Sequence, residues 1–407
     1  MHALARNRGF VALWLASCVS TIGDGIFLVA LTWWIALLTG SALSVGVALI
    51  IDALPMLLLA PFAGNIADRL NRRLLLIIVN FLMALPLAIA VPACWSGRLS
   101  VPWTYVLLFC LSTIGTLKFP AANALLVDHL TMEQRQQGNA LMQSTYSISR
   151  LLGPAIGGLL LAWGGTWLGF LADALSFIMA ALILFSLPAT QTPMEALARA
   201  PGQQQGFFPN LKAMWREPLL RDLLTLTCVG QFLTGPIVVL LPILVERVLD
   251  AGPQAFGTMS SLIGVGAVLS GLGMLPRGFS PHTLLRLTLP LALGGIAIAT
   301  ATLAASQGVA MAAVASLAWG VCDNIAELSL LTITQKAIPL DRRGLFFGVL
   351  GSAIMAARQI GLATAGLVAD AVGTRVALMT CAALLLLPAL FSATRKLEKG
   401  TDNVTAD

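Results

Sequence analysis

Charge is scarce in this chain. Of its 407 residues only 10% are Asp, Glu, Lys or Arg, while 58% are hydrophobic, and the mean hydropathy is +0.89. Soluble domains run near a quarter charged and under half apolar, so a water-soluble core is excluded and a bilayer is the solvent that suits this composition. Histidine is almost missing too. His2, His129 and His282 lie at the ends of apolar runs or beyond them, which argues against a metal set, against a nucleophile–base cluster, and so against a membrane enzyme. The six cysteines (Cys18, Cys94, Cys110, Cys228, Cys322 and Cys381) sit singly inside apolar runs. They read as small buried hydrophobes, not as disulfides or ligands. No G-x-x-x-x-G-K-[ST] loop occurs, which excludes ATP-driven work by this chain alone. No cofactor and no metal are expected.

Long apolar runs fill the chain instead. A membrane span needs about 20 apolar residues, and such runs lie at 9–38, 42–63, 74–95, 103–127, 138–162 and 166–187, then at 222–245, 255–275, 284–304, 308–333, 344–369 and 373–393. The expectation is an all-α membrane protein with twelve transmembrane helices in two six-helix bundles. The first run follows a basic head like that of a signal peptide. It continues almost unbroken to Leu38 with no cleavage site behind a short core, so an uncleaved first span is expected. Residues 188–221 are rich in Pro and Gln and read as a cytoplasmic linker, with a short amphipathic helix at Phe207–Trp215. The layout is then a bundle over 1–187, the linker over 188–221, a second bundle over 222–394 and a cytoplasmic tail over 395–407.

The basic residues orient this layout. With the N-terminus inside, cytoplasmic segments hold 18 of the 24 Lys and Arg residues; the outer loops hold Arg98, Arg247 and Arg375, and the spans hold Lys118, Arg150 and Arg358. That asymmetry places both termini and the linker in the cytoplasm. It also accounts for the net charge of +6 without nucleic acid as a partner. An internal repeat supports the six-plus-six count. Shifted by 208 residues, "RLLGPAIGGLLLAWGGT" (Arg150–Thr166) falls on "RQIGLATAGLVADAVGT" (Arg358–Thr374) with seven of 17 positions identical. Spans 5 and 11 are counterparts in two parallel halves.

The link between spans 2 and 3 reads "GNIADRLNRRLLL". As a plain stop-transfer turn it needs only its arginines on the cytoplasmic side. As a pattern, Gly64, Asp68, Arg69, Arg72 and Arg73 in the order G-x-x-x-D-R-x-x-R-R resemble the signature loop of the major facilitator superfamily. "RLLGPAIGG" (Arg150, Gly153, Pro154, Gly157 and Gly158 among it) is similar to the span-5 motif of that superfamily's drug/proton antiporters. "IGDGIFLVALTWW" in span 1 and "FPAANALLVDHLTMEQRQQGNALMQS" before span 5 resemble the branch of macrolide-type and enterobactin-type exporters. The chain departs from the pattern at Asn71, where a glycine is usual, and in the second-half loop "LPRGFSPHTLLRL", which lacks the aspartate. The resemblance implies the major facilitator fold. It implies that Asp68 latches the start of span 11 near Gly344, that Arg72 pairs with Asp128, and that the span-5 glycines pack closely against a helix of the other half.

Charges inside spans are costly and mark function by default. Asp24 stands mid-span 1, Asp52 mid-span 2, Lys118 in span 4, Asp323 and Glu327 in span 10. Asp24 reads as a proton or substrate residue, with packing the alternative. Asp323 and Glu327 share a helix face at i, i+4; carboxylates that close repel, which suits a proton carrier, while ion pairing with Arg358 or Lys118 is the other reading. Arg150 and Arg358 lie in the cytoplasmic halves of their spans, where snorkelling competes with substrate contact. Asp173, near the outer end of span 6, reads as a solvated or capping residue. Trp33, Trp34 and Trp319 are the aromatics placed for a central cavity.

The reading that follows is a proton-coupled secondary exporter of a small amphipathic organic compound, drug or siderophore. It would work by alternating access as a monomer in a bacterial cytoplasmic membrane, with the bilayer, the substrate and protons as its partners. A lysophospholipid-type lipid facilitator of the same superfamily is the alternative, since the "GD" of span 1 and the "PA" of span 4 occur there too.

Overall fold

The computed structural model describes residue 4 and residues 7–187, 215–274, 283–337 and 343–394. The expected linker up to residue 214, most of its Phe207–Trp215 helix, and the tail from residue 395 fall outside them. Among the described residues the regular structure is helical throughout. The first half runs α1 (Arg8–Thr39), α2 (Ala42–Arg69), α3 (Arg72–Trp95), α4 (Val101–Gly115), α5 (Lys118–His129), α6 (Met132–Gly164) and α7 (Trp167–Phe185). The second half runs α8 (Pro218–Thr234), α9 (Ile237–Ile243), α10 (Pro253–Met274), α11 (Leu289–Ala305), α12 (Val309–Ala337), α13 (Arg343–Val372) and α14 (Thr374–Thr394). Wider π-helical turns follow α9 (Leu244–Val248) and precede α11 (Leu284–Thr288).

Eleven stretches among the described residues are long and apolar enough to cross a membrane, with α4 and α5 counted as one and α8 and α9 as another. The remaining expected span is α6. It is a continuous helix of 33 residues, but it is apolar only over Leu152–Gly164. Its first half carries Gln134, Arg135, Gln136, Gln137, Asn139 and Gln143. The helix therefore begins before the apolar run does, where Gln134 reaches back to the Thr131 N–H at 3.4 Å as one arm of a capping box.

Span 4, expected as one helix over 103–127, is broken. The Thr116 and Leu117 N–H groups bond to Ser112 (3.0 Å) and Ile114 (3.2 Å), and a new helix starts at Lys118. Pro120 explains the restart. It has no N–H to give Thr116, and near a helix start that loss is harmless. Span 7 breaks for the same reason at Gly235–Pro236, between α8 and α9.

The chain divides into two compact units. One comprises residues 1–40, 47–200 and 251–261; the other comprises 41–46, 201–250 and 262–407. In the first unit α1 lies against α6 and α7. A methyl built on Gly153 meets the Gly25 Cα at 2.7 Å, one on Gly157 meets the Ile26 carbonyl at 3.2 Å, and one on Gly158 collides with Gly257 of α10. Phe27 and Phe170 meet edge to face, with centroids 5.1 Å apart. The second unit repeats the pattern: Gly361 of α13 lies on the Phe232 backbone of α8, and a methyl on Gly366 meets the Leu43 Cα at 2.8 Å. Spans 5 and 11 thus use their small residues in the same way. The expectation for the span-5 glycines needs correction at two positions, since Gly153 and Gly157 face α1 of their own half and only Gly158 faces a second-half helix. Pro154 lies inside α6, which continues through it.

Candidate functional site

The link between α2 and α3 is built by caps. Asn71 precedes α3, and its side-chain oxygen accepts the Leu74 N–H at 3.0 Å. Asparagine ranks among the best N-caps, and glycine serves there nearly as well. Arg72, 7% exposed, donates to the Asp128 carboxylate at the end of α5 and to the Ala124 carbonyl at 3.4 Å. Arg73 donates to the last carbonyls of α7, Leu184 at 3.0 Å and Phe185 at 2.6 Å, and lies over the Phe185 ring. A cation there satisfies orphan carbonyls and complements the helix dipole. The expected Asp68 contact at Gly344 falls outside the described side chains, as do those of Arg69 and Arg150 and the surroundings of Gly64.

A largely apolar cavity of about 170 Å³ with a few polar groups opens inside the first unit. Its walls come from α1, α3, the α4–α5 break, α6 and α7, and they include Asp24, Lys118, Asn80 and Ser20. The break in span 4 sets Lys118 at a helix start, from which its ammonium reaches the Asp24 carboxylate at 3.3 Å and lies 4.8 Å from the Phe177 ring centre. Lys118, weighed from sequence as a partner for Asp323 or Glu327, pairs with Asp24 instead.

Asp173 also requires correction. It is 1% exposed, nearly two turns into α7, with its carboxylate over Gly23 and the Ser176 hydroxyl 3.2 Å away. Gly23 supplies the room, so the carboxylate is packed within electrostatic reach of Asp24 and Lys118. Neither solvation nor capping describes it. Asp52 stands on an exposed face of α2, and its backbone carbonyl takes the Ser112 hydroxyl.

The second unit has its own cavity, of about 140 Å³, walled by α8, α11, α12 and α13. Asp323 and Glu327 both line it, with Gln231 and Thr234 on α8. Next to them Asn324 ties α12 to α10, donating to the Ala267 carbonyl and the Ser270 hydroxyl at 2.9 Å each. The Arg358 stem crosses the α8–α9 break at Gly235. Trp33, Trp34 and Trp319 line neither cavity; all three are buried, Trp33 stacked on Phe256 at 5.8 Å.

These are the parts of a carrier: membrane-spanning helices, and in each unit a small cavity holding acidic side chains. The sequence profile of the family described as transmembrane secretion effector, within the major facilitator superfamily, matches residues 2–406. The chain belongs to this family. It is similar to the multidrug efflux pump Tap of Mycolicibacterium fortuitum, at 27% identity over 94% of each chain. Against macrolide efflux protein A of Streptococcus pyogenes the identity is 24%, over 89% of this chain and 90% of the relative. Against the enterobactin exporter EntS of Shigella flexneri it is 27%, over 71% and 68%. Among solved structures, a bacterial homologue of the human lysosomal transporter Spinster shares the fold, with a TM-score of 0.76, 14% identity, and coverage of 95% and 96%. The chain is a multi-pass membrane transporter of small molecules, and not an enzyme.

Two features of this secretion effector escaped the sequence. Asn80 is the one polar residue between Leu74 and Val91, and that isolation was the signal. Asp370, near the end of α13, accepts from the Ala42 N–H at 2.8 Å and the Ser41 hydroxyl at 2.5 Å. It caps the start of α2 from 328 residues away, and no local pattern announces such a cap.

Proposed function

We propose that this transporter exports a small amphipathic organic compound, drug or siderophore, across the bacterial cytoplasmic membrane by proton-coupled alternating access. The carrying observation is its full-length similarity to relatives named as drug pumps, together with the similarity to EntS. The acidic cavities supply groups that can hold a proton, with Asp24 in one unit and Asp323 and Glu327 in the other as carriers. In this reading both termini are cytoplasmic and the protein works as a monomer. Residues 1–187 and 222–394 form the two bundles, joined by the 188–221 linker and followed by the 395–407 tail. Asp68 latches the start of span 11; an Asp68→Asn variant should insert normally yet lose most of its efflux, and normal efflux by it would remove the latch.

The test of the function uses proteoliposomes with an imposed proton gradient and labelled macrolide, enterobactin or lysophospholipid. Gradient-dependent movement of the first or second supports the proposal. Movement of the lipid alone makes the protein a lipid facilitator, and export that survives an uncoupler but requires ATP ends the antiporter reading.

A further inference from the structure

The start of α2 is held twice. Locally, the Ser41 hydroxyl oxygen accepts the Ser44 N–H at 3.1 Å, which already caps the helix. From α13, Asp370 accepts the Ser41 hydroxyl at 2.5 Å, the Ala42 N–H at 2.8 Å and the Leu43 N–H at 3.4 Å. A helix start capped from within does not need a second acceptor in order to form. The Asp370 carboxylate is therefore a tie between distant segments, and its charge suits the positive end of the helix dipole. Asp370 is also exposed, so water competes for each of these bonds and the tie can break. The backbones beside it touch through glycines. A methyl on Gly366, one turn before Asp370, meets the Leu43 Cα at 2.8 Å, and one on Gly46 meets the Leu362 carbonyl at 3.2 Å. No side chain has to be drawn out at either glycine for the crossing to part.

The repeat places an equivalent crossing in the other unit. Gly158, the counterpart of Gly366 at the shift of 208, lies on Gly257 near the start of α10. The counterpart of Asp370 there is Ala162, so one crossing carries the carboxylate and the other does not. Each compact unit thus includes the start of one helix from the other half of the sequence, 41–46 in one case and 251–261 in the other.

We propose that Asp370 is a latch of the transport cycle, holding the start of α2 to the end of α13 while the outer side is closed and releasing it when that side opens. This rests on the alternating-access reading, with the link between spans 1 and 2 on the outer side. It also gives the proposed Asp68 latch a counterpart. Asp68 stands near the end of α2 and would hold the start of span 11; Asp370 stands near the end of span 11 and holds the start of α2. The same two helices then carry one tie at each membrane face, and each half-cycle releases one of them.

The test separates a latch from a local cap. Hydrogen exchange is followed in purified full-length protein at the first turn of α2 and at the start of α10, where no contact of Asp370 reaches. A latch loosens both crossings when it lets go. In Asp370→Ala both segments should therefore exchange about two- to fivefold faster, the effect of losing an exposed charge at a helix N-terminus. Quickening confined to α2 makes Asp370 a local cap and overturns the latch, and so does unchanged exchange at both. A second arm closes the latch permanently. Ser41→Cys/Asp370→Cys, bridged by a short bis-methanethiosulfonate, should stop gradient-driven export of labelled macrolide or enterobactin from proteoliposomes, and reduction should restore it. Native protein treated alike should export throughout. Full export by the bridged protein overturns the latch and leaves the exporter reading intact. Joint quickening of α2 and α10 without export of either compound by the native protein keeps the latch and removes the exporter reading.

Discussion

At the residue scale, polar side chains here do two kinds of work, and sequence distinguishes them poorly. Asn71 departs from the family pattern, yet its 3.0 Å cap on Leu74 serves the helix start at least as well as a glycine would. Arg72 and Arg73 are adjacent and equally basic, but one holds a carboxylate and the other holds carbonyls. The Arg72–Asp128 pair is largely shielded, and its second carboxylate oxygen takes no hydrogen bond. Removing one member of a shielded pair leaves an uncompensated charge, at a cost of about 3 kcal/mol, whereas replacing both with apolar residues is often near neutral. Asp128→Leu should therefore lower the thermal midpoint in detergent clearly, and Arg72→Met/Asp128→Leu should recover most of the loss. An unmoved midpoint in the single variant would show that the pair contributes little. Asp173 teaches the same lesson from the other side. A carboxylate placed by span-end reasoning in solvent is packed over Gly23, because the room came from a different helix.

At the scale of elements, span positions were legible because hydropathy sets them, and breaks were less so because proline sets those. Pro120 and Pro236 were in view, but a prolonged apolar run hid the interruptions on either side of them. The glycine motif announced close packing without naming the partner. Its strength can be tested at Gly153, where a methyl would sit 2.7 Å from the Gly25 Cα. That atom and the Gly25 carbonyl carbon and Ile22 oxygen beside it are all backbone and cannot swing aside, so Gly153→Ala should cost about 1–3 kcal/mol of stability by overpacking. Gly294 on α11 is the control. Nothing lies within 4 Å of its missing methyl, and Gly294→Ala should be neutral or stabilise by up to about 1 kcal/mol through helix propensity. Equal midpoints for the two variants would refute the close-packing account. The α2 start offers a third comparison. Asp370→Ala removes the acceptor of the Ser41 hydroxyl and the Ala42 N–H while Ser41 still caps the Ser44 N–H, and losing a carboxylate at a helix N-terminus typically costs about 1 kcal/mol or less. Hydrogen exchange at the first turn of α2 should quicken in that variant, and unchanged exchange would show the cap to be dispensable.

At the scale of the whole molecule, the family was legible because two motifs, a repeat and a charge asymmetry agreed. The working residues were harder to read, because a span charge looks the same whether it is paired, packed or open to a cavity. The structure separates these cases. Asp24 is paired with Lys118 beside a cavity, Asp173 is packed, Asp52 stands on an exposed face, and Asp323 and Glu327 line a cavity in the other unit. A proton carrier has to reach solvent and also feel the substrate, which favours the cavity-lining set over the packed Asp173; Asp52, exposed and within electrostatic reach of Asp24, lines neither cavity. Asp24→Asn and the double variant Asp323→Asn/Glu327→Gln should therefore each retain facilitated, downhill movement of substrate but lose uphill transport driven by a proton gradient. Asp52→Asn should transport nearly as the native protein does. The decisive measurement is proton release on substrate addition to purified protein in weakly buffered detergent. Native protein should release protons, and each cavity variant should release markedly fewer. If Asp24→Asn and the α12 double variant both release as many protons as the native protein, coupling runs through other groups. If proton release disappears only in Asp173→Asn, the packed carboxylate is the carrier and Lys118 is its switch.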